Sequence, residues 1–155
     1  MNLNSKRIEA LVKLGNHLLD FNPNDKKYSV LQEQIKSASE SNGWFTQQSI
    51  EETFKSWGTT LSIENITTWL KPYFFSTQKK SKKIALILAG NIPMVGFHDI
   101  ISVWVCEHKA LVKCASKDLF LLPYMTYFLI SETGEDFITY VTEKLTGFDA
   151  VIATG

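Results

Sequence analysis

Two hydrophobic periods divide this chain. Through the first 75 or so positions the apolar residues recur three and four apart, as on the inward stripe of a helix, and from Ile84 they gather into short continuous runs separated by helical stretches. Ser5 is placed to cap a first helix whose stripe is Ile8, Leu11, Val12, Leu14, Leu18 and Leu19, and Asn22-Pro23-Asn24-Asp25 ends it with turn residues. A second helix is predicted over Tyr28 to Ser39, with Val30, Leu31 and Ile35 inward and Asn42-Gly43 as its stop. Thr46 caps a third through Trp57, closed by Gly58, and Ser62 starts a fourth that carries Ile63, Ile66, Trp69 and Leu70 as far as Pro72.

After a polar, basic connector, Ser76 to Lys83, the run IALILA has strand length and no polar alternation, as expected for a parallel strand covered on both faces. Pro93 suits the first turn of a helix from about Met94 to Glu107. ALVK reads as a second strand, and Asp118 as the cap of a helix through Ile130, with Pro123 near its first turn. Gly134 opens another helical stretch, Glu135 to Leu145, and Phe148 to Ala153 is the third strand. Strands alternating with helices imply right-handed crossovers and a parallel sheet. The expected fold class is therefore α/β. An N-terminal helical layer (1–78) precedes a region (79–155) that forms the first half of a parallel Rossmann-like sheet, as β-α-β-α-β. The chain stops at Gly155, straight after a strand, so the sheet is expected to be unfinished, with its exposed edge covered by self-association or a partner.

Composition narrows the function classes. With 45% apolar and 21% charged residues the 155-residue chain should fold into a globule. Sixteen basic residues balance sixteen acidic ones, which leaves no global field to attract nucleic acid or an anionic membrane. The two cysteines, Cys106 and Cys114, sit in apolar contexts and make no disulfide framework, which favours a reducing, cytoplasmic setting. The N-terminus lacks a secretion signal, and no apolar run reaches the roughly 20 residues of a membrane span. The aromatics of the first half (Trp44, Phe45, Phe54, Trp57, Trp69, Tyr73, Phe74 and Phe75) read as the packing of a small helical layer rather than a ligand platform. The basic connector reads as a solvated linker rather than a phosphate site.

Candidate chemistry gathers at the strand ends. Asn91 follows the first strand directly, beside Gly90, so its amide would project into the crevice above the sheet. There an NH2 can donate to a carbonyl oxygen and steady the negative charge formed on nucleophilic attack. The alternative is that Asn91 only satisfies turn or cap hydrogen bonds. Lys113 ends the second strand, where a lysine can donate to a ribose hydroxyl or a phosphate, and Ser116 and Lys117 follow in the next loop. The alternative for Lys113 is an exposed strand-terminal lysine. His98, Asp99, Cys106 and His108 do not have metal-ligand spacing, since His98 and Cys106 stand about 12 Å apart along one helix.

LILAGNIPM followed by KALVKCASKD resembles the aldehyde dehydrogenase superfamily, in which one strand of the cofactor domain ends in Asn-x-Pro and the next in a Lys-Pro-Ser-Glu-like motif. FDAVIATG resembles the strand that leads into that superfamily's Gly-Ser-Thr turn. AGNIPMVGFHD, HKALVKCASKD, LLPY and FDAVIATG together, with the opening KRIEALVKLGNHLL and NGWFT, resemble the acyl-CoA reductases that make long-chain aldehydes. That family includes the fatty-acid reductase component of bacterial bioluminescence, and the resemblance covers essentially the whole chain. It implies an oxidoreductase that reduces a fatty acyl-CoA or other acyl thioester to an aldehyde with NADPH. Asn91 would match the oxyanion-stabilising Asn, Lys113 the lysine on the adenine-side ribose, and Gly155 the first Gly of the pyrophosphate turn. Ser116 falls where NAD-specific members carry Glu, so with Lys117 beside it the resemblance favours NADPH.

The superfamily's nucleophilic Cys and general-base Glu lie downstream of the Gly-Ser-Thr turn. Cys106 belongs to the helix after Pro93, Cys114 takes the place of the motif's Pro, and neither is a substitute. The 155 residues therefore read as an N-terminal segment not expected to turn over acyl-CoA alone. A small non-catalytic binding module and an aldehyde dehydrogenase that oxidises free aldehydes are the other readings.

Overall fold

A computed structural model of the chain describes residues 5–73, 75, 80–115 and 118–154. Four α-helices make up the described part of the first half. They are α1 (Ser5–Leu19), α2 (Ser29–Ser41), α3 (Gln47–Thr60) and α4 (Ile63–Leu70), with a 3-10 turn over Lys26–Tyr28 leading into α2. Thr46 accepts the Ser49 N–H and Ser62 the Asn65 N–H, each satisfying an amide that has no partner inside its helix. Leu11, Leu14, Leu18, Leu31, Ile35, Phe54, Ile66 and Leu70 are all buried. Three residues expected inward are exposed: Leu19, Val30 and Ile63, at 48%, 57% and 58%. Val30 lies about 100° round the helix from Leu31, which takes the inward stripe with Ile35 and Ala38. Of the aromatics, Phe45 and Phe54 are core and Trp57 meets Phe97 edge-on at 4.9 Å, whereas Trp44 and Tyr73 are exposed. Phe74 lies outside the described residues.

Gly58 does not end α3, which runs on to Thr60. It is buried inside the helix because α1 crosses there: a Cβ on Gly58 would lie 3.0 Å from the Gly15 carbonyl oxygen, and one on Gly15 would lie 2.9 Å from Leu61 Cβ and 3.1 Å from the Gly58 oxygen. Ala in place of an exposed helical Gly stabilises by about 1 kcal/mol. Here the sign reverses. Gly15→Ala should lower stability by about 1–3 kcal/mol, because neither the Leu61 Cβ nor the backbone oxygen can rotate away. Urea unfolding of the variant checks this, and a gain in stability would contradict the close crossing.

The second half is β1 (Lys83–Ile87), α5 (Phe97–Val105), β2 (Lys109–Lys113), α6 (Leu121–Thr133), β3 (Ile138–Tyr140) and β4 (Ala150–Ala153). All pairs are parallel and the strand order is β3-β2-β1-β4, with Ile84 opposite both Ala110 and Ala150. The chain is thus α/β, an N-terminal helical layer joined to a partial Rossmann-like sheet. Ile84, Leu86, Leu88, Ala110 and Val112 face the helices and share one continuous core with α1, α5 and α6.

Three expectations for this half are corrected. Residues Glu135 to Leu145 do not form a helix: Gly134, left-handed at φ 72°, closes α6 by donating its N–H to Ile130 O at 2.7 Å. Ile138–Tyr140 then pairs with β2, held by buried Phe137 and by the Tyr140 hydroxyl 2.9 Å from Thr126 Oγ1. The order is accordingly β-α-β-α-β-β rather than β-α-β-α-β, and the segment FDAVIATG supplies the fourth strand. The helix after Pro93 starts at Phe97 instead of near Met94. Residues 91–96 form turns with Met94 at φ 59°, because Gly96 must pass close under Leu88, whose Cδ1 would lie 2.5 Å from a Cβ there. Asp118 caps nothing: the residue before α6 is Phe120, which makes no side-chain cap bond. No helix among the described residues is long and apolar enough to cross a membrane.

Candidate functional site

The chain adds β2 and β3 on one side of β1 and then places β4 on the other. Strand order therefore reverses between β1 and β4, and the crevice beyond their carboxyl ends is where such sheets bind ligands. The strand ends are tied together: Leu88 N–H donates to Lys113 O at 3.1 Å, and Thr154 N–H to Ile87 O at 3.0 Å. Thr154 Oγ1 also donates to Asp99 Oδ2 of α5 at 3.1 Å.

Asn91 stands just beyond β1, exposed, and among the described residues its side-chain amide has no hydrogen-bond partner. Other asparagines do what turns ask of them: Asn22 Oδ1 accepts the Asn24 N–H, Asn42 Oδ1 the Trp44 N–H, and Asn65 Nδ2 donates to Thr59 O. The turn-capping alternative for Asn91 finds no bond among the described residues.

The turn that carries it is gripped from below. Buried Asn42, at the end of α2, donates Nδ2 to Gly90 O at 3.2 Å. A Cβ on Gly90 would lie 2.5 Å from Ala115 Cβ and 3.6 Å from Asp118 Cβ, so only Gly permits this contact with the loop after β2. Asp118 is 1% exposed, and among the described residues neither of its oxygens has a partner at hydrogen-bond geometry. Burial pushes its carboxyl up to about 6, and the backbone N–H of Met94, which faces it without reaching full hydrogen-bond geometry, opposes that rise. Both residues were legible only in other roles, Asn42 as a helix stop and Asp118 as a cap.

Lys113 is half-buried at the end of β2 and donates Nζ to Glu143 O at 3.0 Å. An ammonium has two further donors. It borders a cavity of about 290 Å3 beyond β2 and β3, together with Cys114, Leu119, Tyr140 and Thr142. Burial, then the nearby Asp118 charge, pushes the Cys114 thiol up to about 12, so at neutral pH it is no nucleophile. Ser116, Lys117 and Gly155 lie outside the described residues. Cys106, at the far end of α5, borders a separate cavity of about 290 Å3 with Trp69, Tyr73, Phe75, His98 and Ser102. Among the described residues no group of three His, Cys, Asp or Glu side chains could hold a metal ion.

Fold and crevice together define an α/β protein with a polar amide presented at the switch point of a parallel sheet. No family model matches the chain, and no curated protein or solved structure matches it either.

Proposed function

We propose that this chain is the N-terminal part of a cytoplasmic, NADPH-dependent acyl-CoA reductase that converts a fatty acyl thioester to an aldehyde. The observation that carries the reading is the unpartnered Asn91 amide at the β1–β4 switch point, where a donor to a developing oxyanion belongs. Asn91 steadies the oxyanion when a thiolate supplied by further chain attacks the thioester carbonyl. Lys113 holds the adenine-side ribose with its remaining donors, over a cavity open to it at the strand end. Ser116 and Lys117 accommodate the 2′-phosphate, and Gly155 opens the pyrophosphate turn. NADPH, when bound, supplies the hydride. Neither Cys114, held as a thiol, nor Cys106, at the opposite end of α5 from the crevice, serves as the nucleophile.

The test is kinetic. In the polypeptide that includes the nucleophile, long-chain acyl-CoA should drive NADPH oxidation, and Asn91→Ala should lower kcat by about 10²-fold. Unchanged kcat removes Asn91 from the chemistry. Preferred oxidation of free aldehyde would instead assign an ordinary aldehyde dehydrogenase.

The reading as a binding module rests on β4, whose four residues are all exposed, with Val151 and Ile152 at 52% and 42% beside exposed Ile87 and Phe148. An edge strand of this kind is a template for pairing. The 155-residue chain should self-associate through it, and a monodisperse monomer in sedimentation at high concentration would contradict that.

A further inference from the structure

The turn bearing Asn91 is built from parts of the chain far apart in sequence. Its first peptide plane, Gly90–Asn91, is held by the Asn42 side chain, 48 positions upstream in the helical layer. Fixing the Gly90 carbonyl fixes the peptide plane that holds the Asn91 nitrogen and Cα, and so the point from which its side chain departs. The same Asn42 is itself oriented, since its Oδ1 accepts the Trp44 N–H at 3.1 Å. From the other side, Ala115 and Asp118 close on Gly90. Further on, Met94 adopts φ 59°, a costly conformation for a side-chain-bearing residue, with its N–H facing Asp118 and its side chain fully buried. A buried carboxylate without a full partner and a strained, buried Met are both unfavourable for folding. They occur together under the turn that carries Asn91, whose side-chain amide has no hydrogen-bond partner among the described residues.

We propose that Asn42 and Asp118 are positioning residues that clamp the Gly90–Met94 turn and thereby aim the Asn91 amide into the crevice. The assignment of a target to that amide rests on the acyl-CoA reductase reading; the clamp itself does not. Asn42 acts as a donor to Gly90 O, and Asp118 as an acceptor facing Met94 N–H. Among the described residues, the titratable side chains facing Asp118 are Cys114, from the end of β2, and Tyr140, from β3. Both are pushed upward, chiefly by burial, and stay neutral from pH 4 to 8. His98, in the first turn of α5, lies four residues after Met94, so its replacement is the control for a step assigned to Asp118.

Nitrogen-15 NMR of the 155-residue chain tests this directly. The Gly90 and Met94 amides and the Asn91 side-chain NH2 should shift together with a midpoint of about 6. That step should vanish in Asp118→Asn and persist in His98→Gln. Asn42→Asp keeps the acceptor for Trp44 N–H but removes the donor to Gly90 O. It should speed hydrogen exchange at Val95 and Phe97, whose amides close the turn onto Ile92 O and Met94 O, at least tenfold more than at amides of α1. A merely destabilised fold would accelerate both sets alike. Absence of the step, its survival in Asp118→Asn, or equal exchange in Asn42→Asp would each overturn the clamp. If Asn42→Asp does not fold, Asn42→Ala serves for the exchange comparison. An intact clamp with unchanged kcat in Asn91→Ala overturns the oxyanion role alone. Lowered kcat in Asn91→Ala without these turn signatures overturns the clamp alone.

Discussion

Asp118→Asn should make this protein more stable at pH 7, by about 2 kcal/mol. The native carboxyl is raised from 3.8 to about 6, chiefly by burial. Between those values the folded state holds a proton that the unfolded state has lost. The group's favourable contribution is present below pH 3.8 and disappears as pH rises through 6. A rise of that size corresponds to ~3 kcal/mol, part of which the Asn variant keeps as the cost of a buried amide without full partners. His17 titrates in the opposite sense. Burial, then Lys27, holds it below 6.5, so its contribution is lost as pH falls through 6.5 toward that depressed value. Both contribute to the wild-type profile between pH 4 and 7, and the difference between wild type and Asp118→Asn isolates the carboxylate. Urea unfolding across that range should show the difference growing with pH and levelling above about 7. A variant less stable than wild type at pH 7 would show that the ionised carboxylate is satisfied in the fold.

Trp104→Ala should be the most damaging single change, costing about 3–5 kcal/mol. Trp104 is fully buried on α5 and stacks on Phe137 with ring centroids 4.7 Å apart and planes 21° apart. Its indole N–H donates to Glu135 Oε2 at 2.8 Å, the same oxygen that Arg7 Nε reaches at 2.8 Å. One side chain thus joins α5, the lead-in to β3 and, through Glu135, α1. Removing it leaves a cavity under the sheet edge and unsettles the short β3, so chemical unfolding should show a large drop in midpoint. Trp104→Phe keeps most of the apolar burial and leaves Glu135 paired with Arg7, so it should cost only about 1–2 kcal/mol. Equal effects of the two variants would mean that the indole hydrogen bond, not the packing, holds this junction.

The parts of the fold readable along the chain are those settled within a few residues. Thr46 and Ser62 cap the helices they precede because the bond spans three residues. The run at Ile84 is a strand because its consecutive apolar residues leave no polar face to turn toward water, and Ala110 to Val112 is a short apolar run bounded by Lys109 and Lys113. The segment Glu135 to Leu145 shows the limit. Its local composition tolerates a helix, yet β2 needed a neighbour on its open side, and pairing with Ile138–Tyr140 outweighed a weak local preference. Gly58 read as a terminator by the same logic, since nothing nearby in sequence reveals that Gly15 crosses it.

The crevice divides in the same way. Asn91 could be singled out because a strand, a Gly and a Pro frame it in sequence, and Lys113 because it ends the next strand. The partners that hold the turn could not. Asn42 meets Gly90 across 48 positions, and Asp118 is buried only because two loops from adjacent parallel strands close over it. Alone, the sequence determined which segments are helix or strand wherever caps and apolar runs act over short range, together with the residue types offered at the strand ends. The tertiary structure decided the strand order β3-β2-β1-β4, the β3 segment, the left-handed Met94 and the clamp beneath Asn91. Each of these depends on long-range contacts, whose energies outweigh local preference only once the chain is packed.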